Sequence, residues 1–176
     1  MDNSIHIRKA TNEDCAVIVE LGRRTFTETY SEISSNAAVQ EYIEKKLSAE
    51  KIGEELNNPR ACFYIGFMSN EPVAFTRMRY DRIAKGLPDK NAIEIERIYV
   101  VKEYQGFKVG KEIMEKCKQV AIREKFDMIW LQVWQHNNKA IQFYQKAGFV
   151  VYETALFSYG KAMQQDDFLM RLDLYY

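Results

Sequence analysis

The stretch from Ala92 to Glu124 constrains this chain more than any other. Ala92-Ile93-Glu94-Ile95-Glu96-Arg97-Ile98-Tyr99-Val100-Val101 reads as a strand, Gln105-Gly106-Phe107-Lys108-Val109-Gly110 as a glycine-bearing loop, and Lys111 to Ile122 as a helix. Such a loop aims several backbone N–H groups into one small space. The helix start behind it adds partial positive charge and donors without helical partners. Together they suit a phosphate or pyrophosphate. The spacing is neither G-x-G-x-x-G nor a Walker loop, because no Gly-Lys-Ser/Thr ends it, which argues against a Rossmann cofactor. Taken alone, the loop is equally well explained as a tight connection.

The remaining elements follow from pattern. Ile5-His6-Ile7-Arg8 alternates as a first strand. Thr11-Asn12-Glu13-Asp14 predicts a helix start capped by Thr11, with Ile18, Leu21, Gly22, Thr25 and Phe26 facing the core. Less regular chain is expected from Thr27. Ser34-Ser35-Asn36 then caps a helix carrying Val39, Tyr42, Ile43 and Leu47. Ser48 caps another through Ile52 and Leu56, ending near Asn57-Asn58-Pro59. Glu28, Glu32, Glu41, Glu44, Glu50, Glu54 and Glu55 make this region acidic. A solvated helical face accounts for most of them, and the other reading is that a few line an entry for a cationic substrate.

Cys62 to Met68 and Pro72 to Tyr80 form a hairpin about Ser69-Asn70-Glu71, and Asp81 to Asn91 is a polar loop. Met128 to Val133 fits a buried strand. Asn137-Asn138 opens a helix bearing Ala140, Ile141, Phe143 and Tyr144, stopped by Gly148. Val150 to Phe157 and Asp167 to Leu174 close the chain as strands. With no repeat or linker, residues 1–176 read as a single mixed α/β domain around one central sheet.

Composition removes several classes of function. Lys plus Arg and Asp plus Glu both total 25, and a net charge of zero argues against a nucleic-acid partner. Cys15, Cys62 and Cys117 are far apart and odd in number, which fits buried free thiols in a reducing compartment. His6 and His136 show no metal-ligand spacing. No run reaches transmembrane length and residues 1–20 lack a signal-peptide pattern. The expectation is a soluble, cytoplasmic protein with no metal and no membrane partner.

The second informative element is Trp134 through Phe149. Asn137 opens its helix and Tyr144 lies about two turns on, so the two share one face. As a helix cap and a core residue, both already have structural explanations. The two elements in this order resemble the GNAT superfamily of acyl-CoA-dependent N-acyltransferases. Within it, Thr25-Phe26-Thr27-Glu28-Thr29-Tyr30, Ile93 to Val100 and Trp134 through Phe149 resemble the bacterial spermine/spermidine N-acetyltransferase subgroup.

The resemblance covers nearly the whole chain. It implies the GNAT fold, a mixed, mostly antiparallel central sheet flanked by helices, and acetyl-CoA as cosubstrate. Backbone groups of Ile98, Tyr99 and Val100 would pair with the pantetheine arm like an added strand. Gln105, Gly106, Phe107, Lys108, Val109, Gly110 and Lys111 would cradle the pyrophosphate. Asn137 and Tyr144 would flank the thioester end, with Lys146 near the far side of the cofactor. The family's loop is usually Gln/Arg-x-x-Gly-x-Gly/Ala. Here Lys108 stands at the middle glycine and Gly106 is out of register. Lysine there either adds charge to the pyrophosphate grip or points to solvent.

An alkylammonium has a pKa near ~10.4, so roughly 0.04% is free amine at pH 7, and shedding the proton costs roughly 4–5 kcal/mol. A base is needed, directly or through water. Glu94 and Glu96, two apart on one strand, face the same side and are the candidates; which of them acts is open. Two carboxylates there would also attract a polycation, whereas ion pairing with surface lysines is the plain alternative. A backbone N–H around Ile98 or Tyr99 is the expected oxyanion donor. Tyr144 is the candidate acid for the leaving thiolate. No cysteine has an evident activating partner, so direct transfer to the amine is expected.

The leading reading is therefore an acetyl-CoA-dependent N-acetyltransferase for a small primary amine such as a polyamine. Alternatives are another small amine, an amino acid, an antibiotic, a protein α-amine, or a non-catalytic acyl-CoA sensor. A symmetric homodimer through the tyrosine-ended final strand is compatible with the sequence.

Overall fold

The computed structural model describes residues 4–31, 35–159 and 163–175. Its elements are β1 (Ile5–Lys9), α1 (Cys15–Tyr30), α2 (Asn36–Lys46), α3 (Ala49–Leu56), β2 (Ala61–Met68), β3 (Glu71–Arg79), β4 (Ala92–Val100), α4 (Val109–Arg123), β5 (Met128–Trp134), α5 (Asn138–Lys146), β6 (Val150–Tyr159) and β7 (Met163–Asp173). The strands hydrogen-bond in the order β1-β2-β3-β4-β5-β7-β6, a mixed and mostly antiparallel sheet as expected. β4 and β5 run parallel, with Glu94 opposite Trp130, because a helix-bearing crossover separates them in sequence. β5 and β6 both pair antiparallel with β7.

Two compact units divide the chain: Met1–Arg77 with Arg97–Ile113, and Met78–Glu96 with Met114–Tyr176. In the first, Ile18, Leu21 and Phe26 of α1 are buried, as are Val39, Ile43, Leu47 and Ile52. The Phe26 ring stacks at 4.1 Å on Tyr42 and at 4.5 Å on Tyr30. In the second, Ala84, Ala92, Met128, Trp130, Ala155 and Leu169 form one buried cluster against which Leu87 and Tyr152 pack.

Several expectations change at element ends. The first helix starts after Thr11 as read, but its first turn, Asn12–Asp14, is 3-10: Thr11 is the N-cap, and the Asp14 carboxylate accepts from the Thr11 N–H at 2.8 Å and from both Arg8 guanidinium nitrogens. Those Arg8 bonds, ahead of the Thr11 bonds, hold the Asp14 carboxyl down at about 2. The same helix does not fray at Thr27 but runs to Tyr30, its threonine hydroxyls bonding back to Leu21 O (2.6 Å) and Thr25 O (2.8 Å).

Within Phe157 to Asp167, expected as a loop, the described residues 157–159 and 163–167 are strand, paired antiparallel as far as Tyr159 and Met163. Ladder bonding there overrides weak strand propensity. Ser35 and Ser48 cap α2 and α3 as read; Glu32 and Ser34 lie outside the described residues. Cys62 and Cys117 are buried thiols. Cys15 is only half-buried, its Sγ donating to Ala49 O at 3.4 Å.

No helix among the described residues is long and apolar enough to cross a membrane. No group of three or more His, Cys, Asp or Glu among them could hold a metal ion.

Candidate active site

In the first unit the site is built outward from the end of β4. Ile98, Tyr99 and Val100 are half-buried there, and the Tyr99 ring meets Phe75 edge-on at 5.5 Å. The Val101 N–H donates to Val73 O at 2.9 Å, and a 3-10 turn over Lys102–Tyr104 follows. Gln105 folds back, its Nε2 donating to Val100 O at 3.0 Å.

Glu28 was expected to be solvated or to line a substrate entry. Instead it anchors this turn, its carboxylate accepting from the Lys102 N–H at 3.0 Å. Arg24 braces both Glu28 (3.0 Å) and Glu103 (2.7 Å). The side chain that precedes Thr29-Tyr30 in the family-like motif therefore fixes the approach to the loop.

Gly106 has φ +97° and Lys108 φ +64°, so the chain turns twice through the left-handed region. The helix begins at Val109, two residues earlier than expected. Gly110 and Lys111 thus sit in its first turn, with buried Val109 as the apolar anchor. Lys108 adopts the conformation that the missing glycine would supply, with its side chain exposed. A Cβ on Gly106 would meet nothing within 4 Å, so that residue is required for its backbone angle and not for space. Open N–H groups of a helix start beside an uncrowded, exposed loop are a fit surface for a pyrophosphate.

Glu94 and Glu96 belong to the second unit. Glu94 is buried and Glu96 is three-quarters buried, and different arginines attend them: Arg82 Nε lies 3.7 Å from Glu94, and Arg79 Nη1 donates to Glu96 at 3.1 Å. Burial works against the Arg79 guanidinium, but Asp81 and Glu96 outweigh it and its pKa is raised.

In the same unit the Asn137 side chain accepts from the Ala140 N–H at 3.2 Å, capping α5. Tyr144 is buried, with its ring 5.4 Å from Phe143 and 5.9 Å from Phe149, and Lys146 is exposed. Gly148, at φ +101°, ends the helix while the Phe149 N–H returns to Tyr144 O at 3.0 Å. Nearby in sequence, Tyr152 donates to Lys85 O at 3.0 Å. Burial pushes its phenol up to about 12, so it remains a neutral donor at physiological pH.

One feature escaped the sequence reading. Glu55, one of the seven acids read there as a solvated face or a substrate entry, is buried at the end of α3. Arg97 of β4 grips its carboxylate with both terminal nitrogens (2.6 and 3.1 Å), and Arg77 of β3 adds a contact at 3.2 Å. Thr76 fixes the same point of β4 by donating its hydroxyl to Arg97 O at 2.9 Å. The available signal was spacing: Glu55 follows Ile52 by three residues on an amphipathic helix, and both arginines interrupt apolar strands.

Comparison with known proteins agrees with this geometry. The model of the GNAT acetyltransferase family matches residues 18–149. The chain is 28% identical over 167 residues to an uncharacterized N-acetyltransferase in the pepI 3′ region of Lactobacillus delbrueckii subsp. lactis, covering 95% of this chain and 96% of that protein. It is also 28% identical over 155 residues to spermidine N(1)-acetyltransferase of Thermoplasma acidophilum, covering 86% and 91%. The crystal structure of PaiA N-acetyltransferase from Thermoplasma acidophilum in complex with coenzyme A matches with a TM-score of 0.80 and 26% identity, over 97% of this chain and 99% of that one. The chain belongs to the GNAT family of acetyltransferases and is an N-acetyltransferase.

Proposed function

We propose that residues 1–176 act as one domain that moves an acetyl group from acetyl-CoA to a primary amine of a small polycation, a polyamine such as spermidine or spermine. The observation that carries the reading is the pair of carboxylates on β4, Glu94 and Glu96, both substantially buried and both already attended by cations. The relatives support it: one is named a spermidine acetyltransferase, and another is seen with coenzyme A.

When bound, acetyl-CoA supplies an activated thioester carbonyl. Backbone groups of Ile98, Tyr99 and Val100 run along its arm, and the loop from Gln105 to Lys111 holds the pyrophosphate through backbone N–H groups. Asn137 and Lys146 contribute at the thioester end and the far side. The N–H of Ile98 or Tyr99 donates to the thioester oxygen. Glu94 and Glu96 receive the ammonium and take its proton, directly or through water. Tyr144 hands a proton to the departing sulfur.

Free-thiol release from acetyl-CoA, measured against a panel of amines, tests the substrate class. Spermidine and spermine should give the highest kcat/KM. Preference for an amino acid, an aminoglycoside or a peptide α-amine would reassign the acceptor and overturn the polyamine reading.

Lys108 offers a second test. A lysine in the left-handed region costs about 1 kcal/mol that glycine does not, partly offset by glycine's greater freedom when unfolded. Lys108→Gly should therefore raise the unfolding free energy in urea by about 0.5 kcal/mol. Wild type and variant should both bind acetyl-CoA by titration calorimetry, because the grip uses backbone groups. Binding by the glycine variant alone would remove the native loop from the proposal.

A further inference from the structure

Glu94 stands between buried Ile93 and Ile95, and its own side chain is only 8% exposed. The Arg82 side chain beside it is 49% exposed, and at 3.7 Å the contact is charge attraction without a short hydrogen bond between these atoms. The chain carrying Arg82 is held on both sides. Upstream, Arg79 bonds Asp81 twice, at 3.0 and 3.2 Å, and bonds Glu96 as well. Downstream, Ala84 is fully buried, the Leu87 N–H donates to Ala84 O at 2.9 Å, and Tyr152 holds Lys85 O. The backbone thus carries a half-exposed arginine to a buried carboxylate.

The two partners differ in what separation would do to them. A buried carboxylate that gives up a cation is disfavoured, whatever else it bonds. A half-exposed arginine loses little by swinging into solvent, where its charge is fully hydrated. Exchange of one cation for another at Glu94 is therefore easier than departure of Arg82 without replacement.

We propose that Arg82 is a specificity-determining residue, a resident cation that occupies Glu94 until the ammonium of a charged acceptor replaces it. This rests on the reading that Glu94 receives the amine. An acceptor that brings its own positive charge completes the exchange. A neutral amine of similar size does not, so the segment from Arg79 to Arg82 selects for cations even though it presents cations itself.

Steady-state kinetics on the full chain test this, with spermidine as acceptor and aniline, uncharged at neutral pH, as competitor. In Arg82→Gln the KM for spermidine should fall roughly threefold to fivefold, the worth of a half-exposed ion pair. The inhibition constant of aniline should not change, and Arg82→Lys should keep wild-type values. Arg82→Met, which retains the apolar stem, carries the same expectation if the glutamine variant proves unstable. An unchanged or raised spermidine KM, or an equal fall for aniline, overturns the proposal. Glu94→Gln separates its failure from failure of the underlying reading. If that variant impairs spermidine turnover while Arg82→Gln lowers no KM, Glu94 receives the amine and Arg82 is a bystander. If Glu94→Gln is kinetically silent, the role of Glu94 falls and the exchange with it.

Discussion

Glu55→Ala should destabilise the protein by about 3–5 kcal/mol, the cost of breaking a buried ion pair by removing one partner. The carboxylate is shared by Arg97, through two short bonds, and Arg77, and all three side chains are nearly inaccessible. Alanine would take a shared carboxylate away from two buried guanidinium groups, one of which, Arg77, also lies 5.6 Å from the Phe63 ring centroid. Against a total stability of about 5–15 kcal/mol for a typical domain, the loss is large. It should appear as a fall of about 10 °C in the thermal midpoint by circular dichroism. Glu55→Gln, which keeps shape and one acceptor oxygen, should lose less. A loss below about 1 kcal/mol, the value of a surface pair, would show that solvent reaches the cluster.

Tyr144→Phe should lower kcat by about 10²- to 10⁴-fold while the KM for acetyl-CoA changes little. The ring keeps its packing against Phe143 and Phe149, so the substitution removes the hydroxyl alone. A group that donates a proton only as sulfur leaves contributes in the transition state and not to ground-state binding. Stopped-flow measurement of thiol release separates the chemical step from product release. Wild-type kcat in the phenylalanine variant would remove Tyr144 from the mechanism. A rise in KM with unchanged kcat would make it a binding residue.

Much was legible from one dimension. Ile18, Leu21, Gly22, Thr25 and Phe26 repeat at helical spacing and are the buried face of α1. Ser35, Ser48 and Asn137 announce helix starts because each offers a side-chain acceptor to an N–H that the helix cannot satisfy itself. Element ends were less legible, since they depend on partners distant in sequence. Asp14 is a buried acid because Arg8 is there to hold it. Glu28 is no free surface acid because Lys102 presents its N–H to it.

The sequence by itself determined the order of strands and helices, the caps and the family, because periodicity, capping and a glycine-bearing loop before a helix are local properties of the chain. Only the tertiary structure decided which charges are buried. Glu55 and Glu54 are adjacent acids on one short helix, yet the first is enclosed by Arg77 and Arg97 while the second pairs with Lys51 at the surface. Burial of a charge depends on whether a partner from elsewhere in the chain can replace water around it, and that partner is fixed by the pairing of strands and helices far apart in sequence.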